Sequence, residues 1–236
     1  MIATIVNAIA IILGGAIGTL FGNKINERFT AGIMTCMAMI TAIIGIQGAV
    51  GTSSILIVVI CCVLGTIIGT ALRLDERINS SGDKLKEKLE KTGFTKGRFG
   101  DAFVTATLIF GVGTMAILGS IQAGLNHDYA ILFTKSIMDF VTALAFSAAM
   151  GPGVIFAAAP IFVFQGLITL LAGAAQPLLT KEVITEMSAA GGPVFIGMAI
   201  NMLELRKERV KIGDMIPSIF IPIVYFPVAD LINRLF

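Results

Sequence analysis

The chain has few of the residues that cover a water-soluble surface or build a catalytic site. Only 14 % of its 236 residues are charged, it has one His and three Cys, and 56 % of its residues are hydrophobic. A soluble domain carries roughly 25 % charged residues, so the outer face of this protein is expected to meet lipid. The net charge of +2 is too small for a nucleic-acid-binding surface, and no nucleic-acid partner is expected.

The three cysteines lie inside apolar segments and lack the spacing of a metal site or a disulfide framework. Cys36, Cys61 and Cys62 are therefore predicted to be small buried residues. The sequence contains no nucleophile elbow, zinc pair or phosphate-binding loop. We expect neither an enzyme nor a cofactor, and the sequence leaves open whether a metal ion binds.

Long apolar stretches make up most of the chain, and about 20 apolar residues suffice to cross a membrane. The first stretch has no basic residue before Lys24, so it is interpreted as a retained helix rather than a cleaved signal peptide. We predict an all-α, polytopic membrane protein that forms a single membrane domain over 1–236, with some segments broken or re-entrant. The eight predicted segments are 2–22, 30–49, 53–72, 101–120, 134–150, 154–175, 189–204 and 213–233.

The basic residues are distributed unevenly between the connections. Eight of the 17 lie in 73–100, two in 23–29 and four in 205–212, and eight crossings place all three loops on one side. The positive-inside rule then predicts cytoplasmic loops and external termini. The turn at 150–153 fits either a tight cytoplasmic turn or a hairpin that re-enters from outside.

Glycine-containing phrases repeat in the first half of the chain. Gly14-x-x-Ile17-Gly18-Thr19 is matched by Gly65-x-x-Ile68-Gly69-Thr70, so 1–133 is predicted to repeat one helical hairpin, with 134–236 as a second helical half. Glycines at every fourth position let helix backbones approach closely, either within one subunit or between two. A homodimer is expected, because two-fold pairing is the commonest closed symmetry.

Asp139 is the ionisable residue most deeply placed in a predicted segment, and Lys135 lies one helical turn before it. Ser136 continues the same polar face. A charged group inside a membrane is costly and usually faces a cavity or a partner, although a structural ion pair near the outer interface is the alternative. Neutral hydrogen-bonding groups at Gln122, Gln165 and Asn201 are further candidates for the pathway.

Helix breakers accompany these polar residues, as is typical of transporter sites built from interrupted segments. Packing kinks are the alternative interpretation. The breakers are Gly111-x-Gly113, Gly151-Pro152-Gly153, Pro160, and Pro217, Pro222 and Pro227 in the last segment. Gly191-Gly192-Pro193 is a further breaker and is predicted to open the seventh segment.

Two phrases resemble the YdfK/YqgA-like family of bacterial inner-membrane proteins of unknown function. They are Gly113-x-Met115-Ala116-Ile117-Leu118-Gly119-Ser120-Ile121-Gln122-x-Gly124-Leu125 and Lys135-Ser136-Ile137-x-Asp139. The resemblance runs nearly end to end and implies an integral membrane protein, grouped with transporters without an assigned substrate. Many relatives have an acid after the glutamine of the first phrase. This chain has Ala123 there, so no acidic role is carried over.

These observations lead to the hypothesis of a secondary transporter or ion-coupled carrier for a small solute. A channel would use the same polar face as a continuous pore. A membrane scaffold that docks a cytoplasmic partner through the basic 73–100 loop is the alternative from another class. The lipid bilayer and an unidentified small solute or ion are the expected partners.

Overall fold

The structure is a computed structural model that describes residues 1–22, 27–78, 80, 99–111 and 114–235. Most of the basic 73–100 loop and Gly113 therefore lie outside the described residues. The described chain is helical and has no strand, which confirms the predicted all-α class. Its helices are α1 (Ile2–Gly22), α2 (Glu27–Val50), α3 (Ile55–Ala71), α4 (Phe99–Gly111), α5 (Thr114–Leu125), α6 (Ala130–Met150), α7 (Gly153–Phe156), α8 (Ala158–Leu170), α9 (Ala172–Ala175), α10 (Lys181–Met202), α11 (Ile212–Met215), the 3-10 helix Ile216–Ile219 and α12 (Ile221–Leu235).

Six helical segments within the described residues are long and apolar enough to cross a membrane: Ile2–Gly22, Ala31–Val50, Ala130–Met150, Gly153–Leu170, Lys181–Met202 and Ile212–Ala229. Helices α4 and α5, bent by 56° to each other, would make a seventh span as a pair, and α3 is shorter with 17 residues. The protein is thus a multi-pass membrane protein, whereas the count of eight crossings and the orientation stay predictions.

Two helices begin earlier than the sequence indicated. Helix α6 starts at Ala130 rather than 134, and the carboxylate of Asp128 accepts a hydrogen bond from the Ala130 amide (3.0 Å). Helix α10 starts at Lys181 rather than 189, because the Thr180 hydroxyl caps it by accepting from the amide of Val183 (3.3 Å). A polar side chain just before each start accepts a hydrogen bond from the backbone, and at α10 this side chain is the N-cap.

The prediction that Gly191-Gly192-Pro193 opens the seventh segment was wrong, since these residues lie in the middle of α10. A Cβ atom at Gly45 of α2 would meet the Gly192 carbonyl oxygen at 2.7 Å. Two glycines therefore let these helix backbones touch, and the Gly-Gly pair serves close packing rather than a helix end.

Cysteine burial follows the prediction only in part. Cys61 is buried and Cys62 is half-buried, but Cys36 is exposed on α2. An apolar side chain of a membrane protein can face either lipid or the protein interior, because both are apolar. Its position in an apolar segment therefore does not predict that it is buried.

The chain forms two compact units. The first comprises Met1–Met39 and Arg77–Gly173, and the second comprises Ile40–Glu76 and Ala174–Phe236. In the first unit, α1 and α6 make the most extensive helix contact among the described residues. In the second unit, α3 packs against α11 and the 3-10 helix that follows it.

A glycine ridge brings α1 onto α6. A Cβ atom at Gly14 or Gly18 would collide with the carbonyl oxygens of Phe140 and Leu144 respectively, and one at Gly22 would lie 2.6 Å from that of Ala148. Helix α6 therefore covers the ridge within one chain, so a homodimer would need another surface. The homodimer itself stays a prediction.

The predicted hairpin repeat is not confirmed, and the two glycine phrases pack in opposite senses. In the first unit, successive ridge positions of α1 meet successively later residues of α6, so these helices run parallel. In the second unit, Gly65 meets Ser218 and Gly69 meets Asp214, so α3 runs antiparallel to its neighbour. The shared phrase thus encodes close packing and not one common arrangement.

Candidate functional site

The first unit holds a buried ion pair in the middle of a membrane-spanning helix. The ammonium nitrogen Nζ of Lys135 donates to Oδ1 of Asp139 at 2.7 Å and to Oδ2 at 2.6 Å. Asp139 is the tenth residue of the 21-residue helix α6, about 15 Å from either end at 1.5 Å per residue. The earlier start of α6 therefore places Asp139 near the middle of this helix rather than in its first turns.

Asn7 of α1 connects the ion pair to a third helix. Its amide nitrogen Nδ2 donates to Oδ2 of Asp139 at 3.0 Å and to Oε1 of Gln165 on α8 at 3.3 Å. The orientation of the Asn7 amide follows from the carboxylate, because an ionised acid only accepts hydrogen bonds. Asn7 and Gln165 are each 0 % exposed, so α1, α6 and α8 meet at one buried polar cluster, which consists of Asn7, Lys135, Asp139 and Gln165.

The close approach of α1 and α6 explains this geometry. Glycines at 14 and 18 remove the side chains that would hold the two helices apart. A short side chain such as that of Asn7 then reaches across to Asp139. An apolar contact formed by Ala3, Ala123 and Leu132, with Tyr129 against it, lies on the neighbouring turns of α1, α5 and α6.

Several buried polar atoms of the same helices have no hydrogen-bond partner within the described residues. They include Oδ1 of Asn7, Nε2 of Gln165 and the hydroxyl oxygens of Thr4 and Thr169. Thr4 is three residues before Asn7 and Thr169 is four after Gln165, so each threonine shares a helix face with the amide. Buried polar groups without partners are uncommon and costly, and here they accumulate on the helices that build the cluster.

The ring of Phe110 on α4 closes another side of the cluster. Its centroid lies 6.0 Å from Nζ of Lys135, within the range of a cation–π interaction. Phe110 is buried. An aromatic ring and a carboxylate therefore face the same ammonium group.

The other predicted site residues are placed differently. Ser136 is buried beside the pair, but its hydroxyl donates to the carbonyl of Leu132 at 2.8 Å. Gln122 on α5 is half-buried and is not among the hydrogen-bonding partners of Asp139. Asn201 belongs to the second unit, where its side-chain amide holds the backbone of Val210 through two hydrogen bonds of 2.9 and 2.8 Å. Asn201 thus shapes the 203–209 loop.

Glu186 is a buried acid that the sequence analysis missed. It lies on α10 in the second unit and is 1 % exposed. Its carboxylate accepts from the Thr52 hydroxyl (2.6 Å), the Ser53 amide (2.7 Å) and the Ser53 hydroxyl (2.8 Å). The start of α10 at 181 was the missing signal, because it extends the span to include Glu186.

Asp214 is a second missed acid, also in the second unit. It accepts from the amide of Asp75 at 3.0 Å, while the Asp75 carboxylate accepts from the amide of Gly213 at 2.8 Å. The two aspartates cap each other's chain segments, which is a structural role. No group of three or more metal-ligating side chains occurs among the residues that the structure describes.

An apolar multi-pass helical fold with a buried ion pair inside one of its long helices defines an integral membrane protein with a buried polar cluster. Residues 2–227 match the family described as "Protein of unknown function (DUF554)", and the chain belongs to this family. The match covers both compact units and every residue of the cluster.

Two relatives are similar to the chain over 94 % of its length and 94 % of their own. One is the uncharacterized membrane protein YdfK of Bacillus subtilis, with 28 % identity over 226 residues. The other is the uncharacterized protein YqgA of Escherichia coli, with 24 % identity over 223 residues. No solved structure matches the chain. The resemblance inferred from the central phrases is therefore confirmed, and the membrane assignment agrees with the name of the Bacillus protein.

Proposed function

We propose that the protein is a secondary transporter, an ion-coupled carrier that moves a small solute across the bacterial inner membrane. Asp139 and Lys135 would lie in or beside the solute pathway. The observation that carries this proposal is the buried Lys135–Asp139 pair inside a membrane-spanning helix, connected by Asn7 to Gln165. The proposal assigns no catalytic reaction to the protein.

The energetic cost of the cluster supports a functional role. A buried ion pair rarely stabilises a fold more than apolar residues of the same volume would. This pair is accompanied by orphaned atoms on Asn7 and Gln165, so the cluster is not arranged for maximum stability. Intramembrane ionisable groups that persist at such a cost commonly mark solute, ion or proton pathways.

Interrupted helices support the same proposal. Gly151 has a φ of 94°, and the chain breaks there between α6 and α7. Before α12, the last span contains the 3-10 helix Ile216–Ile219 with Pro217 at its start. Carriers use such breaks to free backbone groups and to let segments move against one another.

The experiment that tests this proposal is a flux measurement in liposomes containing the purified protein. Gradients of alkali cations, protons and a panel of small polar solutes would be imposed, and wild type compared with Asp139→Asn. We expect at least one flux that saturates with concentration and is lost in Asp139→Asn. A flux that rises linearly without saturation would instead favour a channel.

Met138→Leu is the matched control, because Met138 is adjacent in sequence but 55 % exposed on the outer face of α6. This variant should transport like wild type. A wild-type flux that Asp139→Asn leaves unchanged would remove the buried pair from the pathway.

A further inference from the structure

We propose that Lys135 acts as a built-in cation for Asp139, so that the ion this site exchanges is a proton and not an alkali metal cation. The inference rests on the proposed function and names its coupling ion. It follows from the positions of the donors around the carboxylate.

The ammonium group occupies the position that a monovalent cation would take. Nζ of Lys135 lies at 2.7 and 2.6 Å from the two carboxylate oxygens and so bridges both. The third contact, from Nδ2 of Asn7 at 3.0 Å, is also a donor. Hard cations bind to several oxygen ligands, whereas the two groups that contact the Asp139 carboxylate, Nζ of Lys135 and Nδ2 of Asn7, present hydrogens. An added metal ion would also meet the positive charge of Lys135 at contact distance.

The described surroundings offer no second acid to neutralise an additional cation. Helices α1, α5, α7 and α8 contain no ionisable side chain. Helix α4 contains one acid, Asp101, in its first turn, whereas the residue of α4 that faces Lys135 is Phe110, near the other end of the helix. The remaining ionisable groups of these segments are the N-terminal amine, His127, Asp128 and Tyr129, which precede α1 and α6. Lys135 and Asp139 therefore form a charge-neutral unit on their own.

A proton enters this site without displacing the ammonium group. When one carboxylate oxygen of Asp139 takes up a proton from water, the acid becomes neutral and the site changes from zero to one positive charge. The ion pair is lost, and the neutral acid keeps its carbonyl oxygen as an acceptor while its other oxygen becomes a donor, so Nζ of Lys135 and Nδ2 of Asn7 no longer share two charged acceptor oxygens. Proton uptake thus changes the contacts between α1 and α6, which is what coupling to a movement of helices requires.

The test measures the melting temperature of the purified protein in detergent. Each variant is examined over a range of pH at constant choline chloride, and then with NaCl or KCl replacing choline at fixed pH. The set comprises wild type, Lys135→Met, Lys135→Gln, Asp139→Asn and the double variant Lys135→Met/Asp139→Asn. Methionine keeps the length of the lysine stem and removes its charge.

For wild type we expect a melting temperature that changes with pH and is equal in sodium, potassium and choline. Removing the ammonium should uncover a cation site, so Lys135→Met or Lys135→Gln should gain saturable stabilisation by sodium or potassium. At 100 times the dissociation constant this gain is about 5–10 °C for a chain of this size. Both responses should be absent wherever Asp139 is replaced.

Three results would overturn the inference. The first is a rise in the melting temperature of wild type with sodium or potassium that depends on Asp139. The second is a pH response of the melting temperature that persists unchanged in Asp139→Asn. The third is that sodium and potassium do not change the melting temperature of either folded Lys135 variant. The first result would leave a cation-coupled transporter standing. If wild type shows no flux in liposomes that depends on Asp139, the proposed function itself fails, so the two failures are distinguishable.

Discussion

The ion pair at the centre of the cluster predicts strongly non-additive mutations. Asp139→Asn leaves the Lys135 ammonium buried without a counter-charge, and Lys135→Gln leaves the carboxylate in the same situation. Removing one partner of a buried pair costs about 3–5 kcal/mol of the free energy of unfolding. The double variant Lys135→Gln/Asp139→Asn removes both charges together and keeps two polar side chains of similar shape. Its loss of unfolding free energy should therefore be much smaller than the sum of the two single losses.

The assay is equilibrium unfolding in mixed micelles, followed by the loss of helical signal as a denaturing detergent is added. The contacts of 2.6 and 2.7 Å predict a coupling free energy of at least about 3 kcal/mol in the double-mutant cycle, the upper end of the range for contacting residues. Met138→Leu, on the outer face of the helix, should change stability little. Additivity to within about 0.5 kcal/mol would show that the two charges do not interact, and would refute this reasoning.

Three further predictions concern other parts of the chain. Gly18→Ala places a methyl group against the backbone of α6 and should cost about 1–3 kcal/mol of unfolding free energy. Gly32→Ala should have no such cost, because a Cβ atom at this position has no neighbouring atom within 4 Å. Equal effects of the two substitutions would contradict the α1–α6 contact. Glu186→Gln should cost about 1–3 kcal/mol because buried donors lose a charged acceptor. Glu182→Gln, exposed in the first turn of the same helix, should cost less than about 1 kcal/mol in the same unfolding assay. In a cysteine-free background, single cysteines at the termini should react with impermeant thiol reagents only from outside and those in 205–212 only from the cytoplasm; external labelling of that loop would reject the eight-crossing topology.

The helical class and the polar pair were predictable because they depend on local sequence. Hydrocarbon demands long apolar runs with internally satisfied backbone groups, so the spans appear directly in the composition. Lys135 and Asp139 are four residues apart, and helical spacing alone places them together. Their partner Asn7 is 132 residues from Asp139, so only the tertiary packing of α1 on α6 identifies it as part of the cluster.

Helix starts and glycine contacts were less predictable. Gly191 and Gly192 precede a proline and were therefore expected to open a helix, whereas their missing side chains accommodate a neighbouring backbone in mid-helix. Hydropathy also underestimated the length of α10. Its first eight residues, 181–188, include polar residues and were left out of the predicted segment, and Glu186 is one of them. A repeated glycine pattern predicts that another helix packs closely against it, but it does not identify that helix or show whether the two helices run parallel or antiparallel.

The accessibility of the polar face of α6 tests the central claim most directly. In a chain without its natural cysteines, Ser136→Cys places a thiol beside the buried pair, and Ile137→Cys places one on the adjacent outer face, where Ile137 is 69 % exposed. A carrier opens its site to water on one side at a time, so a water-soluble thiol reagent should modify Ser136→Cys from at least one side and leave the lipid-facing Ile137→Cys unmodified. If Ser136→Cys folds normally and is as unreactive as Ile137→Cys from both sides, the cluster is a sealed structural element and not part of a solute pathway.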